Sequence, residues 1–208
     1  MTKIKSLFIS LVLTLGVSTA IAGSHGSTLD IVKERGKLMC GSNTGLAGFG
    51  NPNDAGVWEG IDVDVCRAVA AAVFGDANAV EFVPTTSKVR FTVLQSGEID
   101  MLSRNTTWTL QRDVELGLEF VGVNYYDGQG FMVRKDLGVS SATELDGASV
   151  CIQVGTTTEM NLADYFKAND MSYEPIPVET NSEADAAYLA GRCDIYTTDA
   201  SGLYASRA

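Results

Sequence analysis

Short apolar runs suited to strands alternate with helix-like segments from residue 28 to the end of this chain, and that alternation leaves few folds open. A helix is expected over 28–35, capped by Ser27 or Thr28 and stopped by Gly36, followed by a strand over 37–42. The glycine-rich stretch 41–56 reads as a long loop, of the kind that more often binds than fills space. The clearest helix is 62–74. Asp62 can cap it, Gly75 closes it, and Ile61, Val65, Val69 and Val73 form one apolar stripe at a spacing of four. Strands at 81–84 and 99–102 flank a short helix at 91–96; 110–114 gives a helical turn or two, and 121–126 reads as extended. The second half repeats the pattern, with strands at 130–134, 149–154, 174–178 and 193–198 and helices at 159–168 and 183–190. Such alternation builds an α/β fold with a mostly parallel sheet. A weak internal echo, Gly97-Glu98-Ile99-Asp100 against Gly191-Arg192-Cys193-Asp194, points to two similar lobes joined near 124–127.

The first residues are set apart from that pattern. Lys3 and Lys5 precede an apolar run over 7–17, and Ala20-Ile21-Ala22 supplies the small-x-small site of a signal peptidase. The run is short for a bilayer span, which needs about 20 residues. Residues 1–22 are therefore expected to be a cleaved signal peptide, leaving a chain that starts at Gly23. The formal net charge is -11, and loss of the two lysines makes the remainder more acidic. An acidic surface argues against nucleic acid as a partner. Four cysteines in an exported chain favour disulfides over free thiols, and four allow three pairings. Cys40 and Cys66 lie in the first half, Cys151 and Cys193 in the second, which favours pairing within each half without deciding it.

Catalysis is poorly provisioned. The sole histidine is His25, just past the cleavage site, so histidine triads and most metal sites are excluded. No cysteine cluster has zinc spacing and no glycine loop leads into a Lys-Ser or Lys-Thr pair, so neither a metal nor a cofactor is expected. Carboxylate-only catalysis stays open. Binding is better supplied. Arg104-Asn105-Thr106-Thr107-Trp108-Thr109, with Arg112 just after, follows an expected strand, where open α/β sheets place ligands. An arginine there can hold a carboxylate by two parallel charge-assisted bonds. Gly155-Thr156-Thr157-Thr158-Glu159 lies between a strand and a helix, where exposed amides bind anions, although threonine is also an ordinary N-cap. Asp199 ends the last strand. It can hold an ammonium group or cap a helix beginning near Ser201. An anion clamp on one lobe, facing amides and a carboxylate on the other, complements a zwitterion.

These residues resemble the family 3 bacterial extracellular solute-binding proteins of amino-acid ABC transporters, and most of all the general L-amino-acid-binding branch. The resemblance rests on WEGIDVDVCRAVA (58–70), LQSGEID (94–100), RNTTWT (104–109) with Arg112, GTTTE (155–159) and AGRCD (190–194) with Asp199, in family order along nearly the whole exported chain. It implies two lobes, each a mostly parallel sheet flanked by helices, hinged and closing on one amino acid: lobe 1 over 28–124 and lobe 2 over 128–208. By position, Arg112 would hold the α-carboxylate with help from Asn105, Thr107 and the backbone around Thr157, and Asp199 the α-ammonium. Ser87 and Arg90 match positions at the side-chain end in relatives that bind acidic amino acids, and Asn181 falls at another such position. Disulfides Cys40–Cys66 and Cys151–Cys193 are implied too.

In one respect the chain departs from the family pattern. Members continue further, complete the second lobe and cross back to the first, whereas this sequence stops at Ala208 just inside a helix. The second lobe is expected to be incomplete, with weaker closure and stability. The resemblance implies a periplasmic, non-enzymatic carrier that captures L-amino acids such as glutamate, aspartate and their amides. It would deliver them to the membrane permease subunits of an ABC transporter, and would be a monomer at full length. The competing readings are a small-carboxylate dehydratase on the same fold and a sensor lobe. The first needs an acidic catalyst beside the arginine clamp, and the second needs fused membrane and signalling segments.

Overall fold

The computed structural model describes residues 26–207. The expected signal peptide and His25 lie outside that range. Helix α1 (Thr28–Arg35) starts on a capping box between Ser27 and Asp30 and ends at Gly36, whose φ of 77° lets its N–H reach back to Val32 and Lys33. Strand β1 (Leu38–Ser42) follows. The expected long loop then contains part of a small antiparallel hairpin, β2 (Asn51–Pro52) with β3 (Trp58–Glu59). Helix α2 (Ile61–Phe74), strand β4 (Val80–Pro84), helix α3 (Arg90–Gln95), strand β5 (Met101–Leu102) and the short helix α4 (Leu110–Val114) complete the first half. Its sheet has the order β4-β1-β5, all parallel, with Cys40 opposite Phe82 on one side and Met101 on the other.

The second half runs through β6 (Gln129–Val133), β7 (Ser149–Gln153), α5 (Thr157–Ala168), β8 (Glu174–Val178), α6 (Asn181–Leu189), β9 (Ile195–Asp199) and α7 (Ala200–Arg207). Its sheet has the order β6-β9-β7-β8, with β6 antiparallel and the rest parallel. Alternate side chains of a strand point to opposite faces. Val150 and Ile152 of β7 accordingly join Leu162 and Phe166 of α5, while Cys151 between them joins Ala184, Ala187 and Tyr188 of α6. Phe131, Tyr165 and Tyr173 pack around Phe166, so this half has a core on both faces of its sheet. The first half has one small cluster, Val32, Leu38 and Ala70, ringed by half-buried Val69, Val73, Val80 and Met101.

Two disulfides, Cys40–Cys66 and Cys151–Cys193, both buried, tie one strand to a neighbouring element in each half. The first also turns α2. The expected stripe Ile61, Val65, Val69, Val73 is not the buried face; Val63, Cys66 and Ala70 are, and Ile61 is exposed. The helix is apolar on most sides, so spacing alone left its rotation open, and the bond to Cys40 fixes it. Asp62 is not the cap. Gly60 holds that position at φ 121°, because a Cβ there would meet the Phe49 carbonyl oxygen at 2.2 Å. Asp62 sits inside the helix, 1% exposed. Cys193 precedes its strand rather than opening it, and 121–126 pairs with no ladder. Among the described residues no helix is long and apolar enough to cross a membrane.

Candidate functional site

Parallel strands aim their C-terminal ends at one edge of a sheet, and in open α/β sheets that edge carries the ligand crevice. Here β5 ends just before Ser103 and Arg104, β7 at Gln153 and β9 at Asp199. These ends face each other across a cleft. Its first wall is Arg90, Asn105 and Thr107; its second is Gln153, Thr156, Thr157, Thr158, Thr198 and Asp199. The remaining space is about 10 Å³, barely room for one water.

The first wall is cationic. Arg90, Arg104 and Arg112 are each no more than 5% exposed. Arg90 donates from Nη1 to the Asn105 carbonyl (3.0 Å) and the Thr106 hydroxyl (3.2 Å), and from Nη2 to the Gly155 carbonyl of the other half (3.2 Å). Arg112 donates from Nη1 to the Thr107 carbonyl at 2.8 Å, and its own backbone N–H is capped by Thr109. Both guanidiniums stack on Phe91, with their central carbons 4.9 and 5.0 Å from the ring centre. Arg104 donates to Ser87 Oγ at 3.0 Å. Desolvation pushes all three arginines down: Arg90 well below its ordinary value, with Arg104 and Arg112 adding repulsion, Arg112 less, and Arg104 to about 10.

The second wall is hydroxyl-rich with one carboxylate. Thr156 accepts from the Glu159 N–H and caps α5. Asp199 had two possible uses in the sequence, and Asp127 takes one of them by accepting from the Ser201 N–H and hydroxyl at the start of α7. Asp199 is left facing the cleft. Burial raises its pKa above the ordinary carboxylate value and Asp127 adds to this, while Arg90, Arg112 and Arg104 oppose it.

The walls touch. Besides Arg90 to Gly155, Thr107 and Thr157 share a hydroxyl bond at 3.1 Å, Lys88 lies 3.6 Å from Glu179, and Asn43 Nδ2 donates to Asn181 Oδ1 at 3.0 Å. Gly155 has φ 74°, and a Cβ there would stand 3.0 Å from Lys88 Cα and 3.1 Å from the Ser87 carbonyl oxygen. Of the residues singled out in the sequence, Arg90, Asn105, Thr107, Thr157 and Asp199 line the space, whereas Arg112, Ser87 and Asn181 are not part of its lining in this closed arrangement. Sequence reading missed Asn43, Gln153, Thr198 and the burial of Arg104. A polar residue ending an otherwise apolar strand, as at Gln153, was the available signal, and Thr198 stood next to Asp199 at the end of β9. Asn43 carried none, because its two side-chain partners, Asn105 and Asn181, are far off in sequence. Among the described residues, no cluster of histidine, cysteine or acidic side chains is placed to hold a metal.

Residues 38–199 match the sequence model of the bacterial extracellular solute-binding proteins, family 3. A glutamate/glutamine/aspartate/asparagine-binding protein of Rhodobacter capsulatus is 60% identical over 94% of this chain and 58% of its own length. A general L-amino acid-binding periplasmic protein of Rhizobium johnstonii is likewise 60% identical, over 94% of this chain and 56% of that protein. A solved periplasmic binding protein from Brucella ovis with glutathione bound superposes with a TM-score of 0.83 at 60% identity, covering 88% of this chain and 58% of that one. The chain therefore spans little more than half the length of these relatives.

Proposed function

The chain belongs to the family 3 bacterial extracellular solute-binding proteins, and on that premise we propose that it captures an L-amino acid in the cleft for an ABC transporter. One observation carries the reading: a buried arginine set and a carboxylate left free by Asp127 confront each other across the cleft. Arg112, oriented by the Thr107 carbonyl and by Phe91, holds the α-carboxylate together with Asn105, Thr107 and the amides at the start of α5. Asp199 holds the α-ammonium. Ser87, Arg90 and Asn181 serve the side-chain end.

The two halves act as lobes over 28–124 and 128–208, and the segment between them is the hinge. The small remaining space supports that motion, since an amino acid enters only if the walls part. Glutamate, aspartate, their amides and glutathione are the first ligands to try, by analogy with the relatives. The protein works in the periplasm, brought there by the segment 1–22, and hands its ligand to membrane permease subunits without changing it chemically. Calorimetry of the purified protein against these ligands tests the reading. One-to-one binding of at least one L-amino acid is expected, and heat from none of them overturns it. Turnover of a bound ligand, seen by mass spectrometry, would move the dehydratase reading ahead.

A further inference from the structure

Three guanidiniums and two carboxylates act on one another at the cleft, with Arg90 and Asp199 in its lining. Arg90, Arg104 and Arg112 supply the cations; Asp62, 1% exposed, and Asp199 supply the anions. The next carboxylate towards Asp199, that of Asp127, is committed to Ser201. Asp62 is partly committed too, since one oxygen accepts from Asn124 at 2.8 Å. The set carries one cation more than it has anions.

Arg104 is the member of the set to which no carbonyl is offered, although Asp62 and Asp199 both act on its charge. Arg90 has carbonyl partners on both halves and Arg112 has one on its own loop. Among the described residues the bond of Arg104 Nη1 to Ser87 Oγ is its one hydrogen bond, and its Nε, like that of Arg90, is buried without any partner. It remains a cation at neutral pH, because burial lowers it only to about 10. A buried, under-paired cation is costly, and an anion beside it recovers part of that cost. A neutral amino acid cannot supply this. Its one carboxylate goes to Arg112 and its ammonium to Asp199, and the surplus cation stays unmet.

Ser87 adds a second, geometric effect. Its oxygen accepts from Arg104, and among the described residues its own hydrogen has no acceptor. A hydroxyl held this way is available as a donor. Both oxygens of a carboxylate accept, whereas the amide of glutamine or asparagine turns an NH₂ donor towards at least one neighbour. Charge and donor direction point the same way.

We propose that Arg104 is a positioning residue which, through Ser87 and through its own charge, makes the cleft prefer ligands with two carboxylates and one ammonium over their amides. The proposal rests on the amino-acid reading above and orders the ligands within it. The test is calorimetry with glutamate and glutamine on the parent and on R104Q, R104K and S87A, with circular dichroism on each. The parent should bind glutamate at least about tenfold tighter than glutamine, the lower bound of one hydrogen bond to a charged group. In R104Q that ratio should collapse towards one through loss of glutamate affinity. R104K, which keeps charge and a donor, should retain most of it, and S87A should retain only part. A merely structural role would weaken both ligands alike. Equal loss for both, an unchanged ratio in R104Q, or a parent ratio of one overturns the proposal. Should R104Q not fold, the parent ratio and S87A decide: a ratio in S87A equal to the parent's overturns it. Binding of neither ligand by the parent overturns the amino-acid reading and this proposal with it; equal binding of both overturns this proposal alone.

Discussion

The half that ends at Asn124 brings guanidiniums to the cleft, and the half that starts after Asp127 brings hydroxyls, amides and a carboxylate. Their interiors differ as much. The second half packs both faces of a four-stranded sheet, one of them with a cluster of aromatic rings. The first half gathers only Val32, Leu38 and Ala70 into a cluster, with Leu46, Val63, Ile99 and Leu118 buried outside it, and spends much of its remaining interior on Asp62, Ser87, Arg90, Arg104 and Arg112. Buried charge and buried apolar area compete for the same volume. A half that must present three dry arginines has less room for a core, and it relies more on the Cys40–Cys66 bond and on Phe91 between two cations. The half with the thick core needs only short side chains at its strand ends to complete the site.

The sharpest way to break this comparison is Phe166→Ala. Phe166 is fully buried among three other rings and aliphatic chains, so truncation should cost about 3–5 kcal/mol. Denaturant unfolding with hydrogen exchange should show the loss in α5, β7 and β9, with β1 and β4 retaining their protection. A loss shared evenly by both sheets would mean that the halves are not separately cored. Next is Arg112→Ala. In variant protein shown to be folded by circular dichroism, it should weaken amino-acid binding by at least about 3 kcal/mol, beyond a hundredfold, because two bonds to a charged ligand group are lost. Calorimetry on the folded variant checks it, and parent-like affinity would remove Arg112 from the site. Replacing Cys40 and Cys66 together by serine follows, at about 3 kcal/mol for the 26-residue separation. Replacing Cys151 and Cys193 should lower the melting temperature less, although its separation of 42 is longer, because that half has other packing to fall back on. The reverse order would contradict the contrast in cores.

The smallest effect concerns pH. Burial raises Asp62 and Asp199 above the ordinary carboxylate value of 3.8, whereas Asp194 is lowered by the Ser149 hydroxyl and N–H. A raised carboxylate contributes stability that is full below its unfolded pKa and lost as pH rises through the folded one. A lowered carboxylate contributes above its unfolded pKa and loses that stability as pH falls through the folded one. On acidification from neutral, ligand affinity should therefore fall first, as Asp199 gains its proton, while Asp194 still holds Ser149. Carboxyl NMR titration beside calorimetry at several pH values checks the order. Asp199 titrating below Asp194 would refute it.

Much of the skeleton was legible because its signals are local. Ser27 and Thr156 cap helices where side-chain chemistry says they should, and glycines close α1 and α2 at positive φ. The clamp region after β5 was legible for the same reason, as a polar cluster at a strand end. What stayed hidden depends on partners far along the chain. The face of α2 is set by Cys40, 26 residues away, and the duty of Asp199 is set by Asp127, which meets Ser201 across a gap of 74 residues. Asp62 read as a cap because a short acidic residue ahead of an apolar helix usually is one. Only the approach of Phe49 to Gly60, and of Asn124 to Asp62, moves it inside.

The meeting of Gly155 with Ser87 and Lys88 has a kinetic consequence. Backbone there approaches backbone closely enough that a single methyl group would not fit, and the surrounding bonds between the halves are all 3.6 Å or shorter. Hydrogen bonds and dispersion contacts fade within about an ångström of extra separation. For a cleft that opens and shuts, these short-range contacts act as a latch rather than a spring: they hold only once the walls nearly touch, and beyond that only the opposite charges across the cleft still attract. The residence time of a ligand is set by how often those few contacts break together, not by how far the hinge can swing.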